Sequence, residues 1–279
     1  MQPDVVTQLG NSVIQHGPAN DRVYLMKLDP EDMPTIVDGI EELGRENGYS
    51  KLFAKVPAAA VPDFSAHGFI DEARVPRMYK GTSDGCFMAK YLDRERAVPE
   101  NAPLISEVLE VAVQKAENAE NALCNADVVR LGPEHAPELA ALYAIVFETY
   151  PFPITDPDYL REAMNSDVAF FGLKSGDTIT AAASAEMDRE WKCAEMTDFA
   201  TLPQERGQGA AGALLTHMED ALRPLGIRTA YTIARAESFG MNVVFSRSGY
   251  EYGGTLHNNT QIKGKLESMN VWHKQIDAN

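Results

Sequence analysis

The segment LPQERGQGAAGALL (202–215) sets Arg206, Gly207, Gly209 and Gly212 just ahead of an apolar run of helical period. Small residues at a helix start let successive backbone N–H groups point at one ligand. The helix adds the positive end of its dipole, and Arg206 adds charge and shape. These are the parts of a diphosphate cradle. Gly207-x-Gly209-x-x-Gly212 matches the dinucleotide fingerprint, but that loop turns directly from strand to helix inside an alternating βαβ unit. Here Pro203, Gln204, Glu205 and Arg206 intervene and the preceding strands read as a meander, which argues against a nicotinamide cofactor. Arg206-x-x-Gly209-x-Ala211 is a second diphosphate-loop spacing in the same stretch.

A carboxylate stands near this loop. On the strand before it, alternation places Glu195 on the same face as Phe199 and Thr201, and Asp198 on the opposite one. Glu186, on the neighbouring strand, is an alternate. Gly81-x-Ser83-x-Gly85 has the form of a nucleophile elbow, but the elbow needs a helix after it and CFMAKYL reads as a strand, so this is a hairpin loop. Cys86, Cys124 and Cys193 form no CxxC pair and the six histidines no HExxH, so neither a disulfide framework nor a metal site is expected.

The elements that must position these residues follow from periodicity. DVVRL (127–131) reads as a strand, and Leu139, Leu142, Tyr143, Val146 and Phe147 mark a helix that Pro151 and Pro153 stop. Asp156 caps a second, short helix. Three strands then form an antiparallel meander through residues 169–202, the first pair joined at Ser175-Gly176-Asp177. After the glycine loop come a helix, the strand RTAYTIA, a helix near 237–247, and two strands near YEYGGTL and SMNVWHKQI. The order is β-α-α-β-β-β-loop-α-β-α-β-β. Residues 1–92 repeat its α-β-α-β-β tail: a helix through Ile36, Val37, Ile40 and Leu43, then GYSKLFAKV, a helix ending at Gly68, FIDEARV and GCFMAKYL. Lacking a glycine loop, this half-repeat is expected to pack or to enclose substrate. Residues 93–125 read as a linking helix, and 126–279 as the unit that carries the chemistry.

Charge and hydropathy exclude other classes. The net charge of −16 without a dense basic run argues against nucleic acid or an anionic membrane as partner. MQPDVVTQLGNSVIQ has no basic flank or long apolar core, and no run approaches a membrane span, so a cytoplasmic location is expected.

Loop and element order together resemble the GNAT N-acetyltransferase superfamily over residues 126–279. The resemblance implies a mixed α/β fold whose splayed sheet binds acetyl-CoA, preceded by a half-GNAT-like N-terminal domain. Phe199, Ala200 and Thr201 would face the pantetheine arm. Arg206, Gly207, Gln208, Gly209, Ala210 and Ala211 would hold the diphosphate, with Ser238 and Phe245 also lining the cofactor. An alkylamine with pKa near ~10.4 must lose a proton at a cost of about 4 to 5 kcal/mol at neutral pH, and Glu195 is the candidate base for that step. One departure matters: many family members carry a tyrosine where Phe245 stands, to protonate the leaving thiolate. Tyr231, Ser238 or solvent would then have to supply that proton.

TIARAESFGMN (232–242), YGGTLHNNT (252–260) and ESMNVW (267–272), with the half-repeat, are similar to the β-lysine N-acetyltransferases. That implies transfer to the distal amine of 3,6-diaminohexanoate, giving Nε-acetyl-β-lysine, a compatible solute. Arg235 would pair with the substrate carboxylate, while Asp198, Asn242, Asn258 and Asn259 would satisfy its second amine. Another small amine, a protein lysine, or a non-catalytic acyl-CoA sensor are the alternatives, and a homodimer is the one protein assembly left open.

Overall fold

Runs of period-two alternation and of continuous apolar residues both become strands of a single sheet in the computed structural model, which describes residues 4–117, 127–150, 152–176 and 178–276. The N-terminal half holds β1 (Val5–Leu9), β2 (Ser12–Gly17), β3 (Arg22–Lys27), α1 (Thr35–Asn47), β4 (Lys51–Pro57), α2 (Val61–Ala66), β5 (Ile70–Tyr79) and β6 (Ser83–Tyr91). Helix α3 (Ala102–Glu117) follows. The second half holds β7 (Val128–Leu131), α4 (Ala136–Val146), α5 (Pro157–Met164), β8 (Val168–Ser175), β9 (Thr178–Asp188) and β10 (Cys193–Thr201). It continues through α6 (Ala210–Leu222), β11 (Thr229–Arg235), α7 (Phe239–Arg247), β12 (Glu251–Ile262) and β13 (Lys265–Gln275). The order expected for this half is the order found. Asp156 accepts the Asp158 N–H and starts α5 as a cap should. Pro151, Asp177, Cys124 and the end of the linking segment (118–126) lie outside the described residues.

The strand order is β1-β2-β3-β4-β6-β5-β12-β13-β11-β10-β9-β8-β7. Read from either end towards the centre, with β7 set aside as an extra edge strand, the two halves match: β1 to β3 stand where β8 to β10 stand. The parallel pair β3/β4 answers the parallel pair β10/β11, and β6-β5 answers β13-β12. The N-terminal repeat is thus longer than its sequence suggests. Residues 5–27, to which the sequence pattern assigns no element, supply three strands. VVTQL is largely exposed, and the polar residues Gln15, His16 and Arg22 break the apolar pattern of the next two. Among the described residues no helix is long and apolar enough to cross a membrane.

The halves meet where β5 pairs with β12 at Ala73 and Gly254. Gly254, at φ +140, approaches so closely that a Cβ would sit 2.2 Å from the Glu72 carbonyl oxygen. This explains the two adjacent glycines of YGGTL. Beside this seam Lys51, fully buried on β4, donates from Nζ to Glu72 Oε2 and to the His257 carbonyl, both at 2.8 Å. Tyr91 Oη and the His257 N–H also donate to Glu72. Burial lowers the Lys51 pKa to about 8, a cost that the Glu72 carboxylate partly offsets. Removing one partner of such a pair strands the other charge. Lys51→Met is therefore expected to destabilise the protein by about 3–5 kcal/mol in denaturant unfolding, and adding Glu72→Leu to recover much of the loss. A single-variant loss below about 1 kcal/mol would contradict that role for the pair.

Candidate active site

Strands β10 and β11 run parallel in register only at Cys193/Thr229, Ala194/Ala230 and Glu195/Tyr231. Past Glu195 they part. The far edge of β10 stays paired with β9 as far as Thr201/Ala181, so its β11-facing edge is left free to accept an extended amide chain. A cavity of about 1380 Å³ opens along this gap, lined by residues of both halves.

The glycine loop lies at one end of it. Gly207 (φ +82) and Gly209 (φ +84) adopt the left-handed conformation that lets the chain turn into α6, and nothing lies within 4 Å of where a Gly207 Cβ would be. Ala210, Ala211 and Gly212 at the start of α6 line the cavity, where the unpaired first N–H groups of a helix can receive a diphosphate. Arg206 curls back to the Thr201 carbonyl through Nε at 3.3 Å. Arg206, Gly207, Gly209, Ala210 and Ala211 all line the cavity, whereas the Gln208 side chain bonds Glu205 Oε2 at 3.1 Å and Ala200 packs into the core with α4.

A bulge reorders the strand before the loop. The β9/β10 register shifts between Thr197 and Ala200, and Asp198 takes φ +55. This reverses the expected alternation. Asp198 turns onto the face of Glu195, where it accepts from Ser184 Oγ at 2.5 Å and from Tyr150 Oη. Phe199 turns away and packs edge-on against Phe245 at 5.5 Å. Glu195 and Glu186 stand directly opposite each other on adjacent strands, so Glu186, Glu195 and Asp198 line one wall of the cavity.

The opposite wall comes from the N-terminal half, which is expected from sequence to pack or to enclose substrate but in which sequence singles out no site residue. Lys55, on β4, reaches across and donates from Nζ to Tyr231 Oη at 3.0 Å. Burial alone would weaken the Lys55 cation, but Tyr231, Tyr24 and Glu195 around it outweigh that and raise its pKa. In register, Tyr24 and Phe53 occupy in the first half the places that Glu195 and Tyr231 hold in the second. These two rings pack at 4.7 Å, and the aromatic contacts continue through Phe87 to Tyr231. The charged residues in the otherwise apolar strands, Arg22 and Lys27 in RVYLMK and Lys51 and Lys55 in KLFAKVP, are the signal that would have brought Arg22 and Lys55 among the candidates.

The expected substrate residues divide. Asn259 lines the cavity. Arg235 also borders it, but its guanidinium is held by Glu267 in two bonds of 2.7 Å. Asn242 does not reach the cavity. Fully buried, it donates to the Arg235 and Ser238 carbonyls and accepts from Asn270 Nδ2 and Trp272 Nε1, so all its hydrogen bonds are internal. Asn258 likewise serves the fold: at φ +43 it ties β12 to the Arg96 and Val98 carbonyls. Ser238 caps α7 at the cavity's border, accepting the Met241 N–H. Phe245 is buried between Phe199 and Tyr250.

A family model described as acetyltransferase (GNAT) family matches residues 139–249. A β-lysine N(6)-acetyltransferase from Methanococcus maripaludis is 36% identical, covering 96% of this chain and 98% of its own. The chain belongs to the GNAT acetyltransferase family. It is an acetyl-CoA-dependent enzyme closely related to the β-lysine N6-acetyltransferases. N-acetyltransferase YodP from Bacillus subtilis is 32% identical over 95% of this chain and 96% of its own. Among solved structures, yncA from Salmonella typhimurium with its cofactor acetyl-CoA overlaps 56% of this chain and 96% of its own, at 13% identity and a TM-score of 0.48.

The carboxylate pair sets the acid–base behaviour of this GNAT site. Burial, then the Glu195 and Asp198 charges, push Glu186 from 4.5 up to about 8, against the pull of Lys55. Glu186 is exposed on its cavity side, and solvent there screens part of this effect. Glu195 is also raised, first by burial, with Lys55 and Tyr231 opposing. A raised carboxylate favours the folded state in its neutral form. That contribution is complete below pH 4.5 and is lost as the pH rises through about 8. Glu186→Gln should therefore flatten the fall of thermal stability across this window while leaving the acid limb of kcat/KM, where Glu186 is already neutral, in place. A fall as steep as in the unsubstituted protein would contradict the raised Glu186 pKa.

Proposed function

We propose that this chain transfers the acetyl group of acetyl-CoA to the distal amine of β-lysine, 3,6-diaminohexanoate, forming Nε-acetyl-β-lysine. The observation that carries the reading is the wall of Glu186, Glu195 and Asp198 beside the parted strands, enclosed by the N-terminal half. Carboxyl groups along that wall accept hydrogen bonds from an ammonium, and the enclosure favours a small molecule over a lysine in a folded protein. The relative from Methanococcus maripaludis, matched along nearly the whole chain, supports β-lysine in particular.

Acetyl-CoA supplies an activated thioester, and the chain's residues do the rest. Arg206 and the N–H groups at the start of α6 hold the diphosphate, and the free edge of β10 aligns the pantetheine amides. Glu195 takes one proton from the substrate ammonium. The freed lone pair attacks the thioester carbonyl, a C–N bond forms and the nitrogen loses its second proton to solvent, while the C–S bond breaks and the electron pair leaves on sulfur. A backbone N–H of the free β10 edge polarises the carbonyl as charge develops. Tyr231 is the proposed donor to the thiolate. Its hydroxyl lies 3.0 Å from Lys55 Nζ, from which a proton can be replaced, whereas Ser238 is engaged as a helix cap and Phe245 carries no proton to give. A thiolate with pKa near ~8.5 also tolerates solvent as acid.

Free-thiol release from acetyl-CoA, with β-lysine, α-lysine, a polyamine and a lysine peptide supplied in parallel, tests this reading. Release with β-lysine well above the other three is expected. Release with another amine alone would overturn the substrate, and silence with all four would favour an acyl-CoA sensor. Glu195→Gln should lower kcat about 10²–10⁴-fold while leaving acetyl-CoA affinity unchanged. Turnover equal to the unsubstituted enzyme would remove Glu195 from its role.

A further inference from the structure

One buried cation on the N-terminal wall of the cavity takes no part in the chemistry above. Arg22, on β3, is only 5% exposed and its guanidinium stacks near the Tyr24 and Phe53 rings at 5.1 and 5.6 Å. Nη1 donates to the Asn259 carbonyl at 2.5 Å, Nη2 makes a long contact of 3.4 Å to Gln15 Oε1, and Nε has no partner. Among the described residues no carboxylate lies within ion-pair distance of it. The other buried cations at the seam are treated differently. Lys51 is paired with Glu72 at 2.8 Å, and Arg96 with Asp21 at 3.3 Å plus three backbone carbonyls. A buried guanidinium with unused donors and no counter-ion is an unbalanced charge, and a ligand carboxylate balances it with matching fork geometry.

Asn259 supplies the complement. It is 2% exposed, lines the same cavity, and its side-chain oxygen Oδ1 has no hydrogen-bond partner. The bond from Arg22 to the Asn259 backbone fixes an unused donor group and an unused acceptor side by side. We propose that Arg22 and Asn259 form the subsite for the amino-acid end of the acceptor: Arg22 binds the carboxylate and Asn259 Oδ1 accepts from the neighbouring ammonium. This inference rests on the small-amine reading above and specifies which amines it admits. Arg22 and Tyr24 are successive residues on the cavity face of β3, about 7 Å apart along the strand. Tyr24 in turn feels the charges of Lys55 and Glu195. An acceptor anchored at Arg22 therefore needs several methylenes between its carboxylate and the amine that meets Glu195. A diaminocarboxylate with its second amine at the chain end meets that requirement.

The test compares kcat/KM for β-lysine and for 1,4-diaminopentane, the same diamine without the carboxyl group. The unsubstituted enzyme should prefer β-lysine strongly. Arg22→Gln should cut that preference about 10²-fold or more, with acetyl-CoA affinity intact, and Arg22→Lys, which keeps the charge but not the fork, should retain part of it. Arg22→Lys decides the matter if Arg22→Gln does not fold. Equal losses on both substrates, leaving the ratio unchanged, would overturn the subsite and leave the acetyl-transfer reading standing. An unsubstituted enzyme that turns over neither compound would instead sink the substrate reading itself.

Discussion

The parting of β10 and β11 after three registered pairs is the constraint on which the rest of the site depends. While the strands remain joined, Glu195 and Tyr231 are fixed side by side in rigid sheet. Once they part, the edge of β10 has backbone groups without partners, a cost that an amide-bearing ligand arm can offset. The gap also opens the sheet interior, so that carboxylates on β9 and β10 sit in a low-dielectric cavity without being sealed from a ligand. Burial is then what moves their pKa values upward, and the acid–base chemistry follows from the topology.

The same split occurs twice in the molecule and has been put to two uses. In the first half Tyr24 and Phe53 stand at the positions of Glu195 and Tyr231, which exchanges proton chemistry for a packed aromatic wall. The connection from β3 to α1 holds Asp29, Glu31 and Asp32 and no glycine, where the connection from β10 to α6 holds Arg206, Gly207 and Gly209. Asp32 is turned to structure, accepting from the Asn11 and Ser12 N–H groups and from Ser12 Oγ. A diphosphate meets repulsion there and attraction in the other loop. In the proposed reaction one half would present the activated acyl group and the other would close over the acceptor, joined through a seam that only glycine permits at residue 254.

Features set by neighbours in sequence were legible before the structure. The glycine loop, its place after a meander, the helix of Leu214, Leu215, Met218 and Leu222, and Glu195 beside the loop are all local patterns. Features set by distant partners were not. The bulge at Thr197–Ala200 changes which side chains share the sheet face of Glu195, and no glycine marks it, since Asp198 itself takes the positive φ. Asn242 resembles a ligand residue in sequence because buried hydrogen-bond hubs and ligand contacts use the same side chain. Only the Trp272 and Asn270 contacts from β13 distinguish the two. Lys55 and Arg22 belong to the site because two strands far apart in the chain face each other across it.

The most direct measurement is a crystal structure of the chain with coenzyme A and β-lysine bound together. The diphosphate should lie against Gly207 and the start of α6, the pantetheine arm between β10 and β11, and the amine beside Glu195 under the wall formed by Tyr24 and Lys55. An amine bound away from Glu195, or one that leaves the N-terminal wall untouched, would contradict the claim that both halves build one acetyl-transfer site.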